Sequence, residues 1–289
     1  GHNSSPLSVD LSRLIKDEKD IFQTGLNVLK KLTEGNVYLT LRSSMEFDNV
    51  ITQTISGPHP SGNVGIQIHH TKPLRPGDVI WSVNAQHVIT LGKLFQTGSY
   101  DPTVIVSIGG SGATSPATVK TITGVNIGLL VEEQNLKEPI RLISGDVLTG
   151  KTVENTDFLG FYDSSVSIIN DDVKRPFLGM LSPGSSRTKY SLTNAFLSFG
   201  NKAFNFTSSQ NGELRAMVPL NAWEDVLPMD IYPNPLYRAI LAQDIEEMEK
   251  LGIWECDDED FALCSFACPS KIDVGGVVRD GLDLMEKEG

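Results

Sequence analysis

Apolar positions in the first hundred residues alternate between helical and strand spacing. Between residues 16 and 34 they recur at helical spacing and are followed by Gly35-Asn36 as a stop, which predicts a helix. Residues 37–41 and 51–55 are short runs rich in β-forming side chains and predict strands. Residues 3–15 are polar and contain proline, which predicts a frayed segment. A helix followed by a buried strand is typical of an α/β sheet.

A second helix is predicted between Asp78, as its N-cap, and Gly98, as its stop. Its buried face is predicted to comprise Val79, Val83, Val88, Leu91 and Phe95. The pair His69-His70 falls on a predicted strand. Because neighbours on a strand point to opposite faces, we do not expect this pair to chelate one metal ion.

From residue 103 onward the pattern becomes rich in β-branched residues. Strands are predicted at residues 103–108, 117–122 and 140–143, with a helical piece at 127–133. This mixture of short strands and one helix predicts a β-grasp module. Further strands are predicted at residues 158–162, 165–169 and 203–206 of an irregular region. The tail returns to helices, one capped by Asn234 and ending at Gly252, and one over residues 274–287.

Composition describes an ordinary soluble chain, with 289 residues of which 39% are hydrophobic and 21% charged. The net charge of −12 is concentrated at the C-terminal end, because residues 225–289 hold 16 acidic and 5 basic side chains. An acidic surface repels phosphate, so we expect no nucleic-acid partner and no direct hold on anionic lipid. No signal peptide or membrane-spanning run is apparent, and Gly1-His2 is consistent with a tag remnant or an internal start.

Three cysteines lie within thirteen residues near the C-terminus, and two of them form part of a cluster-binding motif. Cys264 and Cys268-Pro269 have the spacing that ends a bacterial ferredoxin motif, C-x₂-C-x₂-C-x₃-C-P. The two preceding ligand positions hold Asp258 and Phe261 instead of cysteine. The motif therefore resembles an iron–sulfur site with half its ligands gone. We favour the interpretation that Cys264 and Cys268 are small buried apolar residues.

A rigid loop follows the strand predicted at residues 51–55. It contains Gly57, Pro58, His59, Pro60 and Gly62. In an open α/β sheet, ligands bind beyond the carboxyl ends of the strands, which makes this loop a candidate ligand or partner site. The alternative, that His59 is merely exposed on a turn, stays open. No catalytic triad and no nucleophile elbow is apparent, so we assign no catalytic residue.

These motifs together resemble one family along nearly the whole chain. The matching blocks, in order, are residues 57–60 with Gly62 and Gly65, then 143–150, 158–160, 216–219, 227–230, 258–260, 263–264, 268–269 and 286–289. The chain thereby resembles the A subunit of the sodium-translocating NADH:quinone oxidoreductase (Na⁺-NQR). That family is similar to the flavin-binding subunit of respiratory complex I, whose helical domain holds an iron–sulfur cluster.

The resemblance implies an α/β and α+β multidomain fold in four parts. Residues 1–100 would be the C-terminal part of a Rossmann-like domain, and residues 101–155 a β-grasp module of the soluble-ligand-binding (SLBB) type. Residues 156–230 would be an irregular β-rich connection. Residues 231–289 would be a helical domain with the degenerate cluster motif. Family members begin with a further domain and the first part of the Rossmann-like domain, which this chain lacks.

The resemblance also implies a role. The chain would be a peripheral subunit, on the cytoplasmic side of the bacterial inner membrane, of a complex that couples NADH:ubiquinone reduction to sodium transport. It would dock on membrane and peripheral subunits that carry FMN, FAD and iron–sulfur clusters, and hold no cofactor itself. It would act as a scaffold and contribute to a quinone site. The fragment alone is expected to be inactive.

Two other hypotheses remain open. The chain would be an electron carrier if Cys264 and Cys268 ligated a cluster completed by a partner chain, or if it bound flavin. It would be a simple ligand-binding module if it used the β-grasp unit and the His59 loop.

Overall fold

The structure, a computed structural model, describes residues 1–136, 139–171 and 204–289. The α-helices are α1 (Leu11–Asp17), α2 (Lys19–Leu32), α3 (Val64–Thr71), α4 (Ala85–Thr97), α5 (Ile127–Val131), α6 (Pro233–Ala242), α7 (Ile245–Lys250), α8 (Ala262–Ala267) and α9 (Val274–Glu288). The strands are β1 (Tyr38–Leu41), β2 (Ile51–Thr54), β3 (Thr103–Gly109), β4 (Ala117–Ile122), β5 (Ile140–Ser144), β6 (Lys151–Val153) and β7 (Ser165–Asn170). Helices and sheets are therefore mixed, as the α/β class predicted from the sequence requires.

The first part of the chain packs helices against a small parallel sheet. Strands β1 and β2 run parallel, with Tyr38 opposite Ile51 and Leu41 opposite Thr54. Helices α1, α2 and α4 cover Leu39 and Leu41, and together these elements form one apolar core. Gly98 ends α4 in the left-handed conformation (φ 74°), which glycine adopts without steric cost.

The N-terminal segment is not frayed, which corrects the prediction for residues 3–15. The carboxylate of Asp10 accepts hydrogen bonds from the backbone N–H groups of Ser12 and Arg13, so it caps α1. Ile15, on the inner face of α1, is fully buried. Apolar contact with the rest of the core, absent from any local pattern, is what orders this segment.

Two further predictions for the first hundred residues were wrong. His69 and His70 lie in helix α3 and not on a strand.

Helix α4 begins at Ala85, capped by Asn84, and not after Asp78. Val79 and Val83 therefore precede the helix and are exposed; Phe95 lies within it and is also exposed, while Val88 is buried. Asn84 prevails as the cap because its side-chain oxygen accepts the N–H of Gln86 at 2.9 Å, whereas Asp78 accepts from Arg75, which precedes it.

Residues 103–170 form a five-stranded mixed sheet in the order β4-β3-β7-β5-β6. Strands β3 and β7 are parallel, and the other pairs are antiparallel. Helix α5 covers one face, and its Ile127 is fully buried with Val106 and Ile168 of the sheet. The side-chain amide of Gln86, on α4, exchanges two hydrogen bonds with the backbone of Ile105, which joins this sheet to the first part.

The three further strands predicted in the irregular region had different outcomes. Strand β7 matches the prediction at 165–169 closely. Residues 158–162 form no strand, because only an isolated bridge joins Phe158 to Asn126. Residue 203 lies outside the described residues, and 204–206 are irregular.

The C-terminal part is helical, and its core is the largest of the three apolar clusters in the described residues. Helix α6 begins at Pro233, with Tyr232 and not Asn234 at the N-cap. The helix predicted to run to Gly252 is two helices, because Gln243 takes a left-handed conformation (φ 55°) and ends α6. Helix α9 follows the predicted bounds, with Asp273 accepting the N–H of Gly276 at its start.

Candidate functional site

The cysteine motif lies inside the C-terminal core. Cys264, on α8, is 0% exposed and Cys268, just after it, is 2% exposed. The thiol of Cys264 donates to the carbonyl of Trp223 at 3.7 Å, and both cysteines belong to the apolar cluster. Burial is the main cause that raises the pKa of Cys264 to about 12. Thiolate, the form that binds metal, is therefore disfavoured here.

The two substituted positions of the motif are also occupied by other interactions. Phe261 is fully buried in the same apolar cluster, whereas Asp258 pairs with Arg279 at the surface. The third cysteine, Cys256, is buried, and its pKa is raised mainly by desolvation. The residues present do not fit an iron–sulfur cluster, because the sulfurs face an apolar interior and the remaining positions hold a phenyl ring and an ion-paired carboxylate.

The loop around His59 is held in place by the N-terminal segment. The hydroxyl of Ser4 lies 3.2 Å from His59 Nδ1 and accepts the N–H of Gly62 at 2.7 Å. Within the loop, Ser61 donates to the carbonyl of Gly57 at 3.1 Å, and the His59–Pro60 peptide bond is cis. The contacts with Ser4 are made across more than fifty positions of sequence, so local patterns gave no indication of them.

His59 itself is half-buried, and of its two ring nitrogens only Nδ1 has a hydrogen-bond partner among the described residues. Its Nε2 atom is buried and has no hydrogen-bond partner in the described part of the chain. Burial lowers the pKa of His59, and this effect exceeds the opposing influence of Asp146. A neutral imidazole with one unpartnered nitrogen can make a single further polar contact, but only after the atoms that cover Nε2 move aside.

Helix α3, directly after this loop, seats on the C-terminal helices and was missed from the sequence. The Asn63 amide donates to the carbonyl of Glu259 at 3.0 Å. At the other end, His69 Nδ1 lies 2.7 Å from Glu255, and His69 Nε2 accepts the N–H of Asp230. Between them, Ile66 is buried in the C-terminal core. The signal available was Asn63, a good N-cap residue placed just before an apolar pair.

The His59 loop and the cysteine motif are thereby brought together, although they lie some two hundred positions apart. Asn63 contacts the 3₁₀ turn Asp258–Phe261, which carries the substituted motif positions. Carboxylates of the β-rich part approach the same turn. Burial, followed by nearby negative charges that include Asp146 and Asp163, raises the pKa of Glu259. The first part, through α3, therefore contacts the C-terminal part at this turn, and negative charges of the β-rich part are near enough to act on Glu259. Among the described residues, no group of three His, Cys, Asp or Glu side chains is arranged to hold a metal ion.

Comparison with known proteins identifies the family. A family model described as "NqrA second alpha/beta domain" matches residues 1–100, and one described as "NQRA C-terminal domain" matches residues 105–155. Curated relatives, each named as the A subunit of a Na(+)-translocating NADH-quinone reductase, match 99% of this chain: 40% identity over 295 residues in Hahella chejuensis, 39% over 294 in Pasteurella multocida and 38% over 296 in Vibrio anguillarum. The chain belongs to this NqrA family, as the motifs predicted.

The chain spans 66% of the length of each of these relatives. In the described residues, no helix is both long and apolar enough to cross a membrane.

Proposed function

We propose that this chain is part of a peripheral subunit of a sodium-translocating NADH:quinone reductase, in which it acts as a docking scaffold through which electrons do not pass. The complex would reduce ubiquinone with NADH and transport sodium, and the chain would lie on the cytoplasmic side of the bacterial inner membrane. Membrane and peripheral partner subunits would carry FMN, FAD and iron–sulfur clusters, and this chain none. Curated relatives with that subunit name support the proposal.

The finer fold assignments also belong to this proposal. Residues 1–100 would be the latter part of a Rossmann-like domain, and residues 101–155 an SLBB-type β-grasp module. Residues 156–230 would connect them to a helical domain over residues 231–289. Three separate apolar cores in the described residues support a division into several parts.

The observation that carries the scaffold role is the burial of Cys264 and Cys268 in an apolar core. A cluster shared with a partner chain needs thiolates at the surface, and these two thiols are nearly inaccessible. An electron carrier based on a cluster shared between chains is disfavoured for that reason.

The decisive experiment combines spectroscopy with a double substitution, Cys264→Ser with Cys268→Ser, in the assembled complex. We expect unchanged NADH:quinone turnover and unchanged iron and flavin content, with a stability loss of about 1 kcal/mol for each buried thiol replaced by a hydroxyl. Cys256→Ser is the matched control, because Cys256 is a buried thiol outside the motif. Loss of iron and of turnover in a normally assembled double variant, but not in the control, would refute the scaffold role.

A contribution to quinone binding is proposed for the loop that contains Gly57, Pro58, His59, Pro60 and Gly62. The unpartnered Nε2 of His59 supports it, because a buried polar atom normally has a hydrogen-bond partner; since this nitrogen is covered, the loop must open for quinone to reach it. His59→Ala is expected to raise the quinone concentration needed for half-maximal turnover by roughly tenfold, the loss of one good hydrogen bond. His87→Ala is the control, because His87 is another half-buried histidine but stacks on Phe161, with 5.4 Å between ring centroids. If both variants keep normal quinone kinetics, the loop does not contact quinone.

A further inference from the structure

Asp260 is a buried carboxyl group without a partner. It lies in the 3₁₀ turn Asp258–Phe261, and only 1% of its surface is exposed. Neither of its carboxyl oxygens has a hydrogen-bond partner within the described residues. The amide of Asn63 lies nearby, but its hydrogen bond goes to the carbonyl of Glu259. A polar side chain in this position is rare, because burial without hydrogen bonds costs free energy.

The carboxyl group packs directly on the first turn of α3. A β-carbon added at Gly65 would lie 1.8 Å from Asp260 Oδ2, so only glycine leaves room for this contact. Asn63, two residues before Gly65, occupies the N-cap position of α3 without a side-chain capping hydrogen bond, and the loop with His59 precedes it. The seat of α3 on the C-terminal part thus depends on how the Asp260 side chain is accommodated.

The titratable groups around Asp260 all oppose its ionisation. Asp257 and Glu259 flank it on its own turn and add negative charge. From the adjoining segments, the thiols of Cys256 and Cys264 are near enough to respond to its charge. Burial is the largest cause, and together these effects raise the pKa of Asp260 to about 7, against the smaller opposing influences of the Asn63 amide and the Asp257 backbone.

We propose that Asp260 is a pH-sensitive clamp between helix α3 and the C-terminal helices. When neutral, it seats the turn on Gly65 and closes the contact. When ionised, it must leave the apolar surroundings or recruit water, and the contact loosens. Because the loop with His59 leads directly into α3, loosening of this contact is expected to reach that loop, which Ser4 also holds. The inference does not depend on the redox role of the family.

The direction of the pH dependence follows from linkage. The folded state holds the Asp260 proton more tightly than the unfolded state does, because its pKa is raised from 3.8 to about 7. The stabilising contribution of this group is therefore complete below pH 4 and falls as the pH rises towards 7. Above pH 7 the contribution has been lost and no longer changes with pH. Most paired carboxylates behave in the opposite way, which makes the signature distinctive.

The test measures unfolding by denaturant from about pH 5 to pH 8 for the chain and for Asp260→Asn. The asparagine variant has the same shape and no charge. We expect the unfolding equilibrium constant of the wild type, divided by that of the variant, to rise about tenfold per pH unit up to pH 7 and then level off. Asp280→Asn is the control, because Asp280 is an exposed carboxylate on α9 and its removal should leave this ratio flat.

A second measurement keeps the inference testable if Asp260→Asn does not fold. Titration of the Asp260 carboxyl carbon by NMR in the wild type should give a midpoint near pH 7, with faster exchange of α3 amides above it. A midpoint near 4, or an Asp260→Asn variant that is less stable than wild type above pH 7, would overturn the clamp. The latter result would mean that the carboxylate caps α3 instead.

Discussion

The α/β part of this chain and its C-terminal helical part bury apolar side chains to very different extents. In the α/β part, nine buried residues form the core, and Trp81, Val79 and Leu32 are 89%, 79% and 75% exposed. Around the helical part, nineteen buried residues form one cluster, which includes Phe261 and also takes in Ile66 of α3 and four residues between 222 and 229. A parallel sheet of only two strands cannot shield both faces, whereas short helices can close around a common centre. Stability in this chain is therefore expected to reside mainly in the helical part.

The strongest test of this comparison is truncation in the helical core. Phe261→Ala removes a fully buried ring from the largest of the three apolar clusters in the described residues and is expected to lower the free energy of unfolding by about 3–5 kcal/mol. Phe95→Ala, on α4, is the matched control, because Phe95 is 63% exposed and should change stability little. Denaturant unfolding measures both. Comparable losses in the two variants would show that the difference in burial between the two parts does not correspond to a difference in stability.

A smaller effect is expected where the two parts meet. Gly65→Ala places a methyl group on the Asp260 carboxyl and should cost about 1–3 kcal/mol by overpacking. Gly35→Ala is the control, since its added carbon would meet only the Thr33 hydroxyl at 3.4 Å. Shortening the opposing side chain with Asp260→Ala should restore much of the loss. A double variant with simply additive losses would mean that α3 and the turn are not in contact.

The smallest effect is expected in the exposed segment before α4. Trp81→Ala should change the free energy of unfolding by less than about 0.5 kcal/mol, because the ring is almost wholly exposed. Trp223→Ala, in the helical core at 3% exposure, should by contrast cost about 3–5 kcal/mol. The same unfolding assay compares them. A large loss for Trp81→Ala would mean that its segment packs against the α/β part.

Local sequence signals predicted elements well where one signal dominated. Strands β3 and β4, rich in β-branched residues, and helix α9 lie where the pattern predicted them. Competing signals misled at α4, because Asp78 and Asn84 are both good caps and only the second is followed by buried positions. Helix α3 was missed because its eight residues are too few for a clear period.

For the candidate site, too, some features were predicted from local sequence signals and others were not. The burial of Cys264 and Cys268 was predicted from residue type, and the structure agrees. Neither the bond from Ser4 to His59 nor that from Asn63 to Glu259 has any trace in the local pattern, since each joins distant segments. Asp260 appeared in the sequence as one acidic residue among several, and only its burial distinguishes it.

The sequence by itself determined the family, the mixed α/β class and the absence of cysteine at two positions of the ferredoxin-like motif, because these depend on residue identity and order. The tertiary structure alone decided which apolar residues are covered, that α3 seats on the C-terminal helices, and that one carboxyl group of an acidic run is sealed from water. Burial is a property of the whole packed chain, and for Asp260 burial is the largest cause of the raised pKa.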